Sequence, residues 1–522
     1  MSALAIEPRG PASETRDLLL PVPPADGEKH LYVHRQVSVL LVSSLISVIC
    51  LTASQYHLLR LHLWLWVLAP FLVFTLLYYL VSLRVTLTSR NFNLATHRAL
   101  VAAWTPLSYP TVDVWLPICG EDLAMLANTW HHVDRLRQAY PGRVTVYVLD
   151  DGDDPEAATL AAAHGFRHLV RPNRGWLKKA GNLRHGYHNS DSEFIVIFDA
   201  DFSPREDFLA ETLPYMQRYP ELGIVQTPQY FRADARQTWM ERGAGAVQEL
   251  FYRVTQVSRD RLDAAICVGS CGVYRRVALD AIGGTTLIEH SEDVHTGFDL
   301  RRHGWGLRYL PIPLATGMCP AGPDSFLTQQ YRWCMGSMSL LGSRKFWTAR
   351  LRLSARCCYL SGFGYYMQTA AASIVTPLVA IFLLALLPDQ IQLRNYLWIA
   401  PSATFLLVIF PLWNRCRYGP TALMAKSLYG WAHLFAITDI LRGRRQPWQT
   451  TGARSRRPTG RIWRAVALWG GTAAAVWLLL AVYRMLTMSA VNFVFLLVMG
   501  LIYSWTAVLM PFIARAQARR RS

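Results

Sequence analysis

Two clusters of long apolar runs, one near each end of the 522-residue chain, bracket a polar, acid-bearing stretch at 86–350. That arrangement leaves little room for anything but a membrane protein with an inserted globular domain. Six runs, at 37–56, 63–83, 369–387, 397–413, 466–482 and 490–513, approach the ~20 residues needed to cross a hydrocarbon core of roughly 30 Å. The fourth is short and contains proline, so a buried or re-entrant helix is its alternative reading. The first begins too late, is too long and lacks a small-residue cleavage site for a removable signal peptide.

Lys and Arg in short loops are retained on the cytoplasmic side during insertion. Eleven Lys or Arg against a single acid, Asp439, lie at 415–464, whereas the opposite connections 57–62 and 388–395 carry one Arg each. Six crossings then predict a multi-pass protein of the plasma or inner membrane, with both ends and the 86–350 domain in the cytoplasm. The net charge of +18 is concentrated beside apolar runs and at 515–521, so membrane lipid headgroups are the expected partner and nucleic acid is not. Nine cysteines without paired metal-ligand spacing predict free thiols and no structural zinc in a reducing compartment.

Within the central stretch, short apolar, β-branched runs at 112–116, 144–149, 194–198 and 223–227 alternate with helical patterns at 155–164, 176–188 and 205–219. This alternation predicts a doubly wound α/β sheet with buried parallel strands. The runs at 144–149 and 194–198 end in Asp150-Asp151-Gly152 and Asp199-Ala200-Asp201, where such sheets bind ligands. Residues 1–27, rich in Pro, Ala and charge, read as a disordered tail.

Each acidic motif has a bland alternative. Asp199 and Asp201 are spaced to hold a hard divalent cation, but Asp-x-Asp also occurs in solvated loops. Asp150-Asp151-Gly152 suits either a carboxylate facing a nucleoside or a tight turn. Ser291-Glu292-Asp293 precedes a helical pattern at 294–303; its acids serve either as helix-dipole partners or, for Asp293, as a general base. Helical spacing from Gln329 to Trp333 puts Gln329, Arg332 and Trp333 on one side and Leu327, Tyr331, Cys334, Met338 and Leu341 on the other. The first side offers a bidentate cation for pyrophosphate and an aromatic plate for a sugar ring.

Asp-Asp-Gly, Asp-x-Asp, Glu-Asp and Gln-x-x-Arg-Trp, in this order and between transmembrane runs, resemble the processive family 2 glycosyltransferases, especially bacterial cellulose synthase. The resemblance covers about 110–452. It implies a GT-A-like (Rossmann-like) α/β domain on an α-helical transmembrane channel of about six spans. It implies that Asp151 binds uridine, that Asp199 and Asp201 hold the diphosphate and Mg²⁺ or Mn²⁺, and that Asp293 is the catalytic base. Gln329, Arg332 and Trp333 match the motif holding the diphosphate and the acceptor end of the glycan. Lys179 and Asn182, in Lys179-Ala180-Gly181-Asn182, match the donor-contacting stretch, and Gly269 and Ser270 the element near the acceptor. Trp448, Thr451 and Gly452 stand where the family has a gating loop. Ser291 replaces the family's usual Thr, and Ile118-Cys119-Gly120-Glu121 replaces Thr-Tyr-Asn-Glu. The chain ends soon after the last run, so a fused cyclic-di-GMP-binding domain is not expected.

The implied layout is a disordered tail at 1–30, a helix pair at 31–84, a glycosyltransferase domain at 85–350, membrane helices at 351–514 with a gating-like loop at 442–464, and a basic tail at 515–522. Helices at 324–346 and 421–441 are expected at the membrane surface. The implied activity is inverting polymerisation of a β-linked glycan, cellulose-like β-glucan first, from a UDP-sugar, with export of the chain and accessory secretion subunits as candidate partners. Single-sugar transfer to a lipid, as in the resembling ceramide glucosyltransferase family, is one rival. A non-catalytic transport or scaffold protein is the other.

Overall fold

The structure is a computed structural model that describes residues 20–33, 38–86, 92–234, 236–413, 421–444 and 459–521. Among these residues nine strands form: β1 (Val112–Ile118), β2 (Val144–Asp150), β3 (Arg167–Val170), β4 (Phe194–Ile197), β5 (Phe202–Pro204), β6 (Leu222–Gln226), β7 (Gly272–Arg275), β8 (Gly306–Tyr309) and β9 (Ala315–Gly317). The four predicted strands are all present, with ends shifted by a residue or two. Every residue of β1 is buried, including Asp113, whose carboxylate accepts from the Ser192 N–H and hydroxyl at 2.9 and 2.7 Å. Helices cover both faces, so the central strands read as near-continuous apolar runs.

Seven strands pair in the order β3-β2-β1-β4-β7-β6-β8, and β5 pairs with β9. The sheet is mixed: β1, β2 and β4 run parallel as expected, and β7 runs antiparallel to both β4 and β6. After β6 the chain leaves through the helices Trp239–Leu250 and Gln256–Arg261 and returns in the opposite sense. The buried Gln226 amide holds that return. Its Nε2 donates to the Ser270 and Thr227 carbonyls at 2.8 and 2.9 Å, and its Oε1 accepts from the Val268 N–H at 3.1 Å. The GT-A-like α/β arrangement is otherwise as implied by the resemblance.

Among the described residues, five helices are long and apolar enough to cross a membrane: Ser38–Leu61, Leu63–Val85, Leu353–Leu386, Gly460–Thr487 and Ala490–Arg519. The predicted fourth span is a shorter apolar helix, Ala400–Trp413, bordering residues outside the described set. The chain is an integral membrane protein. Between sheet and bundle lie the helices Pro323–Leu341 and Thr421–Leu441. Leu327, Tyr331 and Cys334 are buried in the main core with Leu428, Trp431 and Ala432, each large apolar side chain contributing about 1.5–3 kcal/mol. Asp439 is fully buried. It accepts from the Tyr331 hydroxyl at 3.0 Å and from Arg461 Nη1 and Nη2 at 3.1 and 2.5 Å, which meets the demand of a buried carboxylate for partners.

Residues 20–33 differ from the expected disordered tail. They lie against the sheet domain with Tyr32 and Val33 buried. Glu28 pairs with Arg232 at 2.6 Å and accepts from the Tyr230 hydroxyl at 2.9 Å, while Lys29 pairs with Asp207 at 2.7 Å and with Glu211. Pro- and charge-rich composition reads as disorder, but here the charges meet partners far along the chain.

Candidate active site

The loops after β1, β2 and β4 share one sheet edge. Asp150 builds its loop: the carboxylate accepts from the N–H groups of Gly152, Asp153 and Asp154 at 2.8, 3.0 and 2.8 Å, with His168 Nε2 at 3.0 Å. That is the turn-forming role, and it leaves Asp151 to face the cavity. Asp151 is gripped by the buried Arg171, Nε to Oδ1 at 2.6 Å and Nη2 to Oδ2 at 2.7 Å, and its Oδ1 also accepts from the Gly175 N–H at 3.2 Å. A bidentate pair fixes the carboxylate plane and leaves a lone pair on Oδ2 for a ligand donor. Gly181 permits this packing. A Cβ there would lie 2.2 Å from the Trp176 carbonyl oxygen and 2.3 Å from Arg171 Nη1. The next residue, Asn182, donates to the Leu149 carbonyl at 2.6 Å, while its buried Oδ1 has no hydrogen-bond partner among the described residues.

The Asp199-Ala200-Asp201 turn is pinned by two hydroxyls, which removes the solvated-loop reading. The Asp199 N–H donates to Ser270 Oγ at 3.0 Å, and Thr129 Oγ1 donates to the Ala200 carbonyl at 2.8 Å. Lys179 pairs with Asp199, lies 3.8 Å from Glu292 and donates to the Gly269 carbonyl at 3.1 Å. Burial opposes the Lys179 charge, but Asp199 and Glu292 outweigh it and raise the pKa. Burial, reinforced by Asp199, pushes the Asp201 carboxyl up to about 7. Asp199 and Asp201 are hard oxygen donors, and the poorly compensated charge of Asp201 fits a divalent cation. Among the described residues no cluster of three or more His, Cys, Asp or Glu side chains is placed to hold a metal, so a diphosphate and water would complete the coordination.

Asp293 sits where three tight contacts meet. Gly269, at φ +75°, leaves room for it, since a Cβ would lie 2.9 Å from Asp293 Oδ2. Ser291 is left-handed at φ 54°, and a Cβ on Gly336 of the Pro323–Leu341 helix would fall 1.9 Å from Ser291 Oγ. A β-branched Thr is strained in that region. Asp293 Oδ1 accepts from the Val294 N–H at 2.8 Å. Burial, then Glu292, pushes its carboxyl up to about 7.

Gln329, Arg332 and Trp333 complete one cavity of about 1380 Å³ that also takes in Asp151, Lys179, Asn182, Asp199, Asp201 and Asp293. Gly269 and Ser270 stand immediately behind it. Burial lowers the Arg332 pKa, opposed by Glu292, Asp199 and Asp201. The expected gating residues Trp448, Thr451 and Gly452 lie outside the described residues. The expected basic tail at 515–522 is helical through Arg521, as part of the helix Met510–Arg521, and its Arg515 and Arg519 line the cavity.

Sequence reasoning missed Glu121 and Glu292 as cavity groups and Arg171 as the buried partner of Asp151. Glu121 was legible as the acid ending the loop after β1, and its Oε2 accepts from the Cys119 N–H at 2.5 Å. Glu292 was legible as the neighbour of Asp293. Arg171, twenty positions from Asp151, carried no local signal.

Residues 194–414 match the family described as "Glycosyl transferase family group 2". The chain is 34% identical over 277 residues to cellulose synthase 1 of Komagataeibacter xylinus, covering 52% of this chain and 18% of that one. It is 32% identical over 293 residues to "Cellulose synthase 1 catalytic subunit [UDP-forming]" of the same organism, covering 55% of this chain and 39% of that one. It therefore spans well under half the length of these curated relatives. Among solved structures, the mannosyltransferase PcManGT from Pyrobaculum calidifontis, in complex with GDP-Man and Mn²⁺, aligns with TM-score 0.48 and 15% identity over 72% of this chain and 98% of that one. The chain is thus similar to the processive membrane glycosyltransferases of family 2 that its motif order resembles.

Proposed function

We propose that this relative of the cellulose synthases is an inverting, processive glycosyltransferase. It extends a β-linked glycan, cellulose-like β-glucan first, from a UDP-sugar and passes the product through its helical bundle. One observation carries the reading: the four separated motifs converge on a single cavity beside the membrane helices. The glycosyltransferase domain spans 85–350 and faces the cytoplasm, as the basic 415–464 stretch supports.

In this reading Asp151, held by Arg171, accepts from the uracil ring, and the unpaired Asn182 Oδ1 accepts from the donor. Asp199 and Asp201 would hold a Mg²⁺ or Mn²⁺ ion, which would supply charge neutralisation at the leaving diphosphate. Gln329 and Arg332 hold that diphosphate, and Trp333 stacks on the acceptor sugar beside Gly269 and Ser270. Asp293 takes the proton from the acceptor hydroxyl. The hydroxyl oxygen bonds to the anomeric carbon from the face opposite the diphosphate, whose bond to that carbon breaks with inversion.

Proteoliposomes given labelled UDP-sugars one at a time are expected to yield a polymer from UDP-glucose that a β-glucan-specific glycosidase digests. A mono-glycosylated lipid as the sole product would replace polymerisation by the single-transfer rival. No UDP release from any UDP-sugar would favour the non-catalytic one. The pH dependence has a definite sign. A base must be deprotonated, so with a carboxyl near 7 kcat should climb about tenfold per unit below that pH and level off above it. A flat profile between pH 5 and 8, measured by UDP release, would count against Asp293 as the base.

A further inference from the structure

We propose that Asp324 is a positioning residue for transfer, fixing the helix that presents Gln329, Arg332 and Trp333 against the C-terminal helix that walls the cavity. This rests on reading the cavity as the transfer site.

Asp324 lies in the first turn of the Pro323–Leu341 helix, where an acid would by default be a partner for the helix dipole. Its bonds lie elsewhere. Ser325 serves the start of the helix, accepting from the Gly322 N–H at 3.3 Å and donating to the Gly322 carbonyl at 2.8 Å. The Asp324 carboxylate instead collects donors from other parts of the chain. Thr459 Oγ1 and Trp463 Nε1, the latter at 2.7 Å, donate to Oδ1, and Arg515 Nε donates to Oδ2 at 3.4 Å. The Arg515 guanidinium also lies 4.4 Å from the Trp463 ring centroid. A Cβ on Gly322 would lie 3.3 Å from the Ala518 Cβ, so the C-terminal helix passes closely over this turn.

The 459–463 stretch grips the same helix a second time. Arg461 pairs with Asp439, which accepts from the hydroxyl of Tyr331, the neighbour of Arg332. Two grips, about 10 Å apart at 1.5 Å rise per residue, fix rotation of the helix as well as its position. A 10° turn about the axis would shift the Arg332 guanidinium by about 1 Å, enough to cost up to about a hundredfold in rate.

The test is steady-state UDP release by purified Asp324→Asn and Arg515→Gln proteins and their double variant in proteoliposomes. Asp324→Asn is expected to lower kcat at least tenfold with donor KM changed less than threefold. Arg515→Gln should have a smaller effect, and the double variant should fall less than twofold below Asp324→Asn. Thermal midpoint and elution volume report folding separately. If both single variants lower the midpoint while kcat per folded molecule stays within twofold of wild type, Asp324 is merely structural and the proposal is overturned. Should Asp324→Asn not fold, Trp463→Phe removes one donor while keeping a ring, and its kcat decides by the same criterion. An active wild type with unaffected variants overturns this proposal alone. A wild type that releases no UDP overturns the transfer reading as well.

Discussion

Asp293→Asn protein is expected to bind UDP with near-normal affinity and to lose about 10²–10⁴-fold in kcat, the range a positioned general base supplies. The substitution changes almost nothing else. Asparagine keeps the shape that fits against Gly269, and its amide oxygen can still accept from the Val294 N–H, now made by Asp293 Oδ1 at 2.8 Å. Folding should not suffer. A carboxyl raised to about 7 binds its proton more tightly folded than unfolded, so the stability it lends is present at low pH and lost as pH rises through 7. A neutral amide resembles the protonated form, so the thermal midpoint at pH 8 should hold or rise. UDP release measured beside UDP binding by calorimetry separates the two effects. Turnover at the wild-type rate would remove Asp293 from the mechanism.

Arg332→Ala should come next, with kcat down about 10²–10³-fold, the scale on which a preorganised charge at a developing anion is worth having. Here the guanidinium does two jobs. In the proposed function it meets the departing diphosphate, and in the folded protein the charges of Glu292, Asp199 and Asp201 act on it. Arg332→Lys keeps the charge without the planar fork and should recover no more than about tenfold. If instead donor KM rises while kcat is unchanged, the arginine binds ground state and transition state alike, and its assignment to leaving-group stabilisation fails.

What could be read from the chain alone followed from locality. Asp199 and Asp201 were legible because they directly follow an apolar run that becomes β4. The two faces of the Pro323–Leu341 helix were legible because Gln329 to Trp333 spans little more than one turn. The unread features depend on distance. Arg171 reaches Asp151 from the end of a four-residue strand, and Asp324 meets donors 135 to 191 positions away. Strand β7 was missed because Gly272-Val273-Tyr274-Arg275 is too short for a pattern; its direction is set by Gln226, a polar residue that a hydrophobic pattern does not single out.

The contacts of residues 20–33 carry a consequence of parity. They join chain that precedes residue 38 to partners 178 to 209 positions further on, among them Asp207, Glu211 and Arg232. Salt-bridged groups cannot sit on opposite sides of a lipid bilayer, so the polypeptide between them traverses it an even number of times. Among the described residues of that interval two helices have spanning length, Ser38–Leu61 and Leu63–Val85; if both cross the bilayer, the pair is a hairpin that re-emerges on the side it left, whichever compartment that side meets.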